Sequence, residues 1–405
     1  MTDNESKQNF LRQLASIAPI VRGLLAEPTG DQDIPYNPVI LKSLTSKEAV
    51  DFAGSAKNAQ APEYPAPLTK DQGLPLFPEA LDLNSPAEEL RKKLSSAVSD
   101  YSTRYNSKPK IVCFYNIGLL YVDKKEDNNS PEAHAADEPL RNKVALVTGA
   151  AGAIGYGICC GLLEKGCHLV ATDLPGKKLD SFTADLKQIA GDRVTGIPVD
   201  VTEEDSVVLG LESVILTWGG IDIVVVNAGI PLVSFLKDID LDDFQRLEKV
   251  NVEGTFLTLR EIARHFILQG TGGDVIIVST KNVPSPGAGF GAYSATKAAS
   301  HQLGRIASLE LAQYGVRVNM VAPDAVFSEG KYKSGLWEEI GPSRMKARGL
   351  DENGLQEYYQ SRNLLKAKIT GRHVSNAVLF FATRQTPTTG ATIPVDGGLP
   401  DATPR

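Results

Sequence analysis

Short apolar runs alternate with helix-like segments along the last two thirds of the chain, and this alternation limits the possible fold more than any other feature. The runs are VALV at 144–147, HLVAT at 168–172, IDIVVV at 221–226, DVIIV at 274–278 and VRVNMV at 316–321. Strands that are apolar on both faces are typical of a parallel sheet covered by helices. Right-handed crossovers between them give a doubly wound sheet, whose ligands bind at the carboxyl ends of the strands.

A segment without a periodic apolar face separates this part from the rest of the chain. Residues 128–140 read NNSPEAHAADEPL, which is acidic and rich in Ala and Pro, so we expect a linker there. The sequence thus predicts a smaller α/β domain at 1–127 and a larger domain at 141–405. In the smaller domain we expect helices at 11–25 and 87–105, and strands at 39–44 and 110–115.

Composition excludes several classes of function. The net charge is −7 and Lys and Arg are not clustered, which argues against nucleic-acid binding. No apolar run approaches the roughly 20 residues of a membrane span, and the polar N-terminus makes a secretory signal unexpected. The four cysteines form no CxxC pair, so we expect buried reduced thiols and a cytoplasmic location. We expect a small-molecule substrate and a homo-oligomer.

A glycine-rich turn follows the first apolar run of the larger domain. Gly149, Gly152, Ile154 and Gly155 lie in the segment TGAAGAIG at 148–155, which opens a helix that reaches about Lys165. A dinucleotide pyrophosphate needs a turn without obstructing side chains and free backbone N–H groups at a helix N-terminus. The segment fits this need, although a simple tight turn is an equal alternative when it is taken alone. A dinucleotide site here implies a Rossmann-type sheet.

Polar residues at the ends of later strands strengthen the dinucleotide interpretation. Asp173 ends the second run, 18 residues after Gly155, where a carboxylate accepts hydrogen bonds from the adenosine ribose. It would repel a 2′-phosphate, so NAD is favoured over NADP, although Asp173 could instead cap the next helix. Asp200 could bind adenine or cap a helix. Asn227, Ala228 and Gly229 form a small turn that lets the backbone approach a cofactor.

The spacing of Tyr293 and Lys297 indicates acid–base chemistry. Residues four apart share one face of a helix, so the two side chains are neighbours. An ammonium beside a phenol is expected to lower the phenol pKa and to help it exchange a proton with an alcohol or carbonyl. The alternative is an unrelated pair of surface residues, because YxxxK occurs often by chance.

Two further polar residues complete a candidate catalytic set. Thr280 lies 13 residues before Tyr293, just after the DVIIV run, and its hydroxyl could hold a substrate oxygen. Ser279 is a possible substitute, although strand alternation should point it away. Asn251 is expected within a helix, where a free amide could bind water and extend a proton relay through Lys297. The alternative for Asn251 is an ordinary solvated side chain.

Taken together, these motifs resemble the short-chain dehydrogenase/reductase family from about Arg141 to Gly398. The order of the motifs also agrees, down to a closing Thr389-Gly390 and Val395-Asp396-Gly397-Gly398. The resemblance implies that Tyr293 is the acid/base, that Lys297 activates it and binds ribose, and that Asn251 relays protons. It also implies that Ile154 and Pro323 contact the cofactor.

The chain departs from the family pattern at three positions. Thr280 replaces the usual Ser, Ala153 replaces the middle glycine of the turn, and Asp324 replaces the Gly that usually follows Pro323. A long insertion at 327–368 precedes the last helix. It contains aromatic residues and Arg362, and we expect it to form a lid over the substrate.

A narrower resemblance is to the dehydrogenase half of bifunctional rhamnulose-1-phosphate aldolase/lactaldehyde dehydrogenases. It is carried by the segments STKNV at 279–283, FGAY at 290–293, PDAVF at 323–327 and RNLLK at 362–366. The part at 1–127 loosely resembles the end of their aldolase half. A metal-dependent aldolase needs several His ligands, and only His134 precedes the larger domain. We therefore expect no metal site and an aldolase remnant retained for docking or assembly.

The sequence predicts an NAD-dependent oxidoreductase that acts on a small hydroxy-aldehyde, sugar or alcohol. By the narrower resemblance, the substrate is similar to lactaldehyde. The alternative is a non-catalytic NAD-binding scaffold whose N-terminal part binds a partner. Tyr293 and Lys297 argue against the scaffold, which has no need of that pair.

Overall fold

The contacts between residues divide the chain into two compact units. The first comprises Met1–His134, Leu211–Ile221 and Arg264–Thr271, and the second comprises Ala135–Gly210, Asp222–Ala263 and Gly272–Arg405. The computed structural model describes residues 3–55, 63–78, 81–83, 85–123, 138–328 and 330–399. His134 and most of the linker expected at 128–140 lie outside these residues.

The first unit is a small α/β structure. Its elements are α1 (Asp3–Leu25), β1 (Glu27–Pro28), β2 (Tyr36–Asn37), β3 (Leu41–Leu44), α2 (Lys47–Ser55), α3 (Ala87–Tyr105), β4 (Ile111–Phe114) and β5 (Gly118–Val122). The helices and strands that the sequence predicts here all form. Strands β3, β5 and β4 make an antiparallel sheet in that order, and β1 pairs with β2.

The central strand of this sheet, β5, is not predicted by the sequence pattern. Asn116 and Gly118 have φ angles of 59° and 140°, so the chain reverses tightly after β4. Such positive angles are available to Asn and Gly at little cost. The reversal places β5 against β4, where the register pairs Cys113 with Leu119.

A buried arginine fixes α1 within the first unit. Arg22 is only 1% exposed, and its Nε donates to the Val39 carbonyl at 2.7 Å while Nη1 donates to Oε1 of Gln269 at 3.1 Å. The next residue is Gly23, where a Cβ would lie 1.9 Å from the Gln269 carbonyl oxygen. The backbone of α1 therefore lies directly on Gln269, and only a glycine allows this approach.

The second unit contains a seven-stranded parallel sheet. Its strands are β6 (Val144–Val147), β7 (His168–Asp173), β8 (Val194–Pro198), β9 (Ile223–Val226), β10 (Gly273–Val278), β11 (Val316–Pro323) and β12 (Thr392–Val395). Their order is β12-β11-β10-β9-β6-β7-β8. All five apolar runs form strands, and the predicted Rossmann-type doubly wound sheet is confirmed. The order reverses between β6 and β9, and ligands bind in the crevice at such a point.

Helices connect the parallel strands. They are α4 (Ala153–Glu164), α5 (Lys177–Ala190), α6 (Glu204–Trp218), α7 (Leu241–Glu248), α8 (Gly254–Gln269), α9 (Gly291–Leu311), α10 (Gly341–Arg348), α11 (Glu352–Arg362) and α12 (Gly371–Ala382). Helices α6 and α8 begin in the second unit and end in the first. Helices α10 and α11 lie in the insertion at 327–368.

The four cysteines are free thiols, as expected. Cys113, Cys159 and Cys167 are buried, and burial raises the pKa of Cys113 to about 12, so this thiol stays protonated and unreactive. A search of the described helices for a stretch long and apolar enough to cross a membrane found none.

The contact of Gly23 with Gln269 predicts a sharp effect of a single methyl group. Gly23→Ala places a Cβ against a backbone oxygen that cannot rotate away, and overpacking of this kind costs about 1–3 kcal/mol. We expect the variant to melt at a lower temperature than the unmodified protein when followed by circular dichroism.

Gly54→Ala in α2 is the matched control. Its Cβ would meet no atom closer than 3.8 Å, and alanine favours a helix over glycine. This variant should melt at or slightly above the temperature of the unmodified protein. Equal melting temperatures for Gly23→Ala and Gly54→Ala would contradict the packing described.

Candidate active site

A cleft of about 1000 Å³ opens at the carboxyl ends of the parallel strands. The predicted site residues that line it are Gly149, Gly152, Ile154, Gly155, Asp173, Asp200, Asn227, Ala228, Gly229, Thr280, Tyr293, Lys297 and Pro323. Asn251 is the exception, because it lies behind the cleft wall with 1% of its surface exposed. The topology thus brings residues from six strand ends and α9 into one place.

The glycine-rich turn leaves no room for side chains at two of its positions. Gly149 has a φ of 58°, and a Cβ there would lie 2.7 Å from Cα of Ala228. At Gly155 a Cβ would lie 2.2 Å from the Ala150 carbonyl oxygen. A Cβ at Gly152 would meet no atom within 4 Å, so space does not explain that glycine. The turn is therefore close-packed at Gly149 and Gly155.

The N-terminus of α4 differs from the expectation in one respect. We expect its first backbone N–H groups to be free for an anion, yet the Ala153 N–H donates to the Lys333 carbonyl at 3.2 Å. The segment that carries Lys333 is held nearby, since the Tyr332 ring stacks on Tyr156 with centroids 4.2 Å apart. The insertion at 327–368, which we call the lid, therefore contacts the glycine-rich turn.

Asn227 braces this turn through its own side chain. Its Nδ2 donates to the carbonyls of Thr148 at 3.0 Å and Gly149 at 2.7 Å. The Thr148 hydroxyl accepts hydrogen bonds from the N–H groups of Asn227 and Ala228 at 3.0 and 3.1 Å. These bonds join the turn after β6 to the turn after β9.

Asp173 is bound to the same turn and does not cap the following helix. Its Oδ2 accepts from the Ala151 N–H and its Oδ1 from the Leu174 N–H, both at 2.9 Å. The N-cap of α5 is Gly176, so the capping alternative is wrong. Lys178 lines the same end of the cleft. The carboxylate is thereby fixed where the adenosine ribose of a dinucleotide is expected.

Asp200 serves a local structural purpose at the mouth of the cleft. Its Oδ1 accepts from the Thr202 N–H at 2.9 Å and from the Thr202 hydroxyl at 2.7 Å. This is the short-range pattern by which aspartate stabilises a turn before a helix. Because the residue also lines the cleft, a contact with adenine is compatible with this geometry.

Burial governs the protonation of Tyr293 and Lys297. Burial lowers the pKa of Lys297 to about 8, and its Nζ donates to the Val278 carbonyl at 2.7 Å. Burial also raises the pKa of Tyr293 to about 12, against a hydrogen bond with Thr280 that lowers it, and the charge of Asp324 raises it further. The expected lowering by the ammonium is therefore wrong, since desolvation dominates. Tyr293 keeps its proton at neutral pH.

Asn251 lies in a distortion of the helix rather than in a regular turn. Residues Lys249–Glu253 form a π-helical turn between α7 and α8, a feature that is frequent at functional sites. The Asn251 Oδ1 accepts from the Ile230 N–H at 2.9 Å, and Nδ2 donates to the Ile230 carbonyl at 3.0 Å and to Thr296 at 3.2 Å. The expected free amide is therefore wrong. The amide holds the chain that follows Gly229.

Thr280 and Ser279 point to opposite sides, as strand alternation predicts. The Ser279 hydroxyl lies 2.9 Å from Nδ1 of His301, whereas the Thr280 hydroxyl bonds to Tyr293. Thr280 also accepts from the Asn282 N–H at 3.3 Å. Only Thr280 is therefore positioned to share a substrate oxygen with Tyr293.

The insertion forms one wall of the cleft through a π-helical turn (Leu336–Ile340), α10 and α11. Trp337 is a packing residue, because its Nε1 donates to the Val326 carbonyl at 2.9 Å and its ring lies 5.1 Å from that of Phe327. Tyr359 and Arg362 line the cleft. The expected position of this segment over the substrate region agrees with these contacts.

Sequence reasoning did not single out Asn282 and Arg344, which also line the cleft. Asn282 is 6% exposed, and its Oδ1 has no hydrogen-bond partner among the described residues. The position of Asn282, two residues after Thr280, is the one available signal. Arg344 carries no sequence signal, because its helix meets the site only in three dimensions.

Comparison with known proteins yields a family and several relatives. A family model for short chain dehydrogenases matches residues 143–339. The uncharacterized oxidoreductase YuxG of Bacillus subtilis (strain 168) is 28% identical over an alignment of 460 positions. This alignment covers 97% of this chain and 64% of that protein. The chain thus spans less than two thirds of the length of this relative.

Two further matches concern the region of the parallel sheet. The glucose 1-dehydrogenase of Gluconobacter oxydans (strain 621H) is 31% identical, over 64% of this chain and 91% of that protein. The solved structure of sorbitol-6-phosphate 2-dehydrogenase SrlD from Erwinia amylovora matches with a TM-score of 0.58 at 28% identity. That match covers 63% of this chain and 98% of the other.

Proposed function

Because the chain belongs to the short-chain dehydrogenase family, we propose that it is an NAD-dependent oxidoreductase of a small sugar, hydroxy-aldehyde or alcohol. The observation that carries this proposal is the meeting of Tyr293, Thr280 and Lys297 in one cleft beside the glycine-rich turn. The names of two relatives, a glucose 1-dehydrogenase and a sorbitol-6-phosphate 2-dehydrogenase, favour a carbohydrate or polyol.

The cleft fits a nicotinamide dinucleotide. Gly149 and Gly155 keep the turn free of side chains, and Asp173 offers carboxylate oxygens for ribose hydroxyls. Lys297 would hold the second ribose, with Pro323 and Gly229 close by on the cleft wall. When bound, the nicotinamide supplies the hydride acceptor or donor.

Tyr293 provides the proton that the substrate oxygen exchanges during the reaction. A phenol with a pKa of about 12 is protonated at neutral pH, so Tyr293 is ready to donate to a carbonyl oxygen. Thr280 bonds to the same hydroxyl and could hold that oxygen in line. In the opposite direction Tyr293 must first lose its proton, which the pKa raised by burial opposes at neutral pH. The narrower resemblance makes lactaldehyde-like compounds the first substrates to try.

We also propose that residues 1–127 form a domain without catalytic activity, joined by a linker at 128–140 to the dehydrogenase domain at 141–405. Only His134 precedes the dehydrogenase domain. Among the described residues, no three His, Cys, Asp or Glu side chains lie close enough together to hold a metal ion. Both observations favour a role in docking or assembly over aldol chemistry.

Tyr293→Phe tests the proposed proton step. The substitution removes one hydroxyl and should leave the fold and the affinity for NAD nearly unchanged. A positioned acid or base contributes about 10²–10⁴-fold in rate, so single-turnover hydride transfer should slow by at least that range.

Thr280→Ser should retain activity, while Thr280→Val, which keeps the shape without the hydroxyl, should lose most of it. An unchanged single-turnover rate in Tyr293→Phe would refute the assignment. A non-catalytic scaffold would instead bind NAD and turn over none of a broad panel of substrates.

Asp173→Asn tests the cofactor preference. Asparagine keeps an oxygen that can accept from the Ala151 N–H, but it removes the charge that repels a 2′-phosphate. We expect the unmodified protein to bind NAD at least about tenfold more tightly than NADP, which is about 1.4 kcal/mol. The variant should narrow that gap mainly by improved NADP binding, as measured by calorimetric titration. Tighter binding of NADP than of NAD by the unmodified protein would contradict the predicted preference for NAD.

The absence of aldol activity can be tested directly. The protein should not release dihydroxyacetone phosphate from rhamnulose 1-phosphate, with or without added zinc. A coupled assay for dihydroxyacetone phosphate provides the measurement, and a known metal-dependent aldolase provides the positive control. Zinc-dependent release would show that the N-terminal domain is an aldolase.

A further inference from the structure

Three arginines of the lid line the cleft beyond Tyr293, namely Arg344, Arg348 and Arg362. We propose that this part of the cleft binds a polyhydroxy substrate that bears a phosphate or carboxylate group, and that Arg344 binds the anion. The inference rests on the proposed function, because it assumes that the other end of the substrate reacts at Tyr293.

Arg344 is one aromatic ring away from the reacting group. Its guanidinium carbon lies 4.8 Å from the centre of the Phe290 ring, and that ring lies 6.2 Å from the Tyr293 ring. Phe290 precedes α9, and Arg344 belongs to α10. A substrate that reacts at Tyr293 and extends along Phe290 for several carbons would thus reach Arg344.

Arg344 forms no salt bridge among the described residues, and its buried Nε has no hydrogen-bond partner among them. A buried polar group without a partner costs free energy, and a buried charge costs more. An anionic ligand would supply both the missing acceptor and the missing charge.

Two acidic residues of the cleft interact electrostatically with cations other than Arg344. The charge of Glu339 is attracted to Arg246 and Lys178, and the charge of Asp324 to Arg362 and Lys281. Neither of these two carboxylates acts on Arg344.

The charges of Arg344 and Arg362 both act on the hydroxyl of Tyr359. An anion at this end of the cleft would be attracted by both guanidinium groups. Guanidinium groups bind phosphate and carboxylate through two parallel hydrogen bonds, which suits an anionic end group better than a neutral hydroxyl.

The wall between Tyr293 and the lid offers a partner for substrate hydroxyls. Asn282 lines the cleft beside Thr280, and its Oδ1 has no partner among the described residues. An amide accepts from and donates to hydroxyl groups equally well. A polyhydroxy chain between the reacting carbon and the anion is therefore favoured over an aliphatic one.

The test compares matched substrates in the intact protein with NAD. Sorbitol, sorbitol 6-phosphate and gluconate form one set, and glycerol, glycerol 1-phosphate and glycerate form another. We expect kcat/KM for the phosphate or the carboxylate member to exceed that of the neutral member at least tenfold. The two anionic members of each set decide between a phosphate and a carboxylate.

Variants then assign the preference to Arg344. Arg344→Gln should lower kcat/KM for the anionic substrates at least tenfold, mainly through KM, and leave neutral substrates almost unchanged. Arg344→Lys should recover part of the loss. Lys346→Gln removes one positive charge from the same helix at an exposed position that does not line the cleft, so it should change neither class.

Two kinetic results would overturn the inference. One is a preference of the unmodified protein for neutral substrates. The other is an equal loss for neutral and anionic substrates in Arg344→Gln, which would indicate a purely structural role. Calorimetric titration with the same anions separates this inference from the proposed function. If no substrate turns over but the anions bind and Arg344→Gln weakens that binding, the anion site stands and the oxidoreductase proposal fails; absence of anion binding overturns the site.

Discussion

The close approach of the turn after β6 to the turn after β9 is the constraint on which the rest of the site depends. At Gly149 the two backbones are so near that a single Cβ would lie 2.7 Å from Cα of Ala228. Thr148 and Asn227 then join the turns by four hydrogen bonds. Because β6 and β9 are adjacent at the point where the strand order reverses, this junction opens the crevice in which a dinucleotide fits.

Burial, more than the proximity of charges, sets the protonation states in the cleft. Lys297 and Tyr293 are both removed from water, so each shifts toward its neutral form. The pKa of Lys297, about 8, is therefore lower than that of Tyr293, about 12, which reverses the ordinary order of a lysine and a tyrosine. Asp324, which stands where the family usually has glycine, adds a negative charge that keeps the proton on Tyr293. The chain has thus modified the surroundings of an otherwise familiar pair.

The lid determines which side chains line the wall of the cleft opposite Tyr293. It contributes arginines and aromatic rings to the wall opposite Tyr293, and it reaches the glycine-rich turn through the Lys333 carbonyl. The family model covers the sheet from β6 to β11 but ends at residue 339, so it leaves out α10 and α11 of the lid. Differences in substrate between this chain and its relatives are therefore expected to originate in the lid.

The sequence by itself determined the parallel sheet, the glycine-rich turn and the spacing of Tyr293 and Lys297, because each depends on local periodicity or on a few adjacent residues. It also predicted that Ser279 and Thr280 point to opposite sides, since alternation is a local property of a strand. Only the tertiary structure decided the hydrogen-bond partners of Asn251, whose amide bonds to the Ile230 backbone and to Thr296.

The sign of the pKa shift of Tyr293 likewise required the tertiary structure. Desolvation depends on every element packed around a group, and one of the relevant charges, that of Asp324, comes from a distant strand end. Arg344 reaches the cleft through α10, 51 positions after Tyr293 along the chain. Spacing within a helix or strand fixes which neighbours share a face, but the folding of distant segments against one another fixes burial, hydrogen-bond partners and charge.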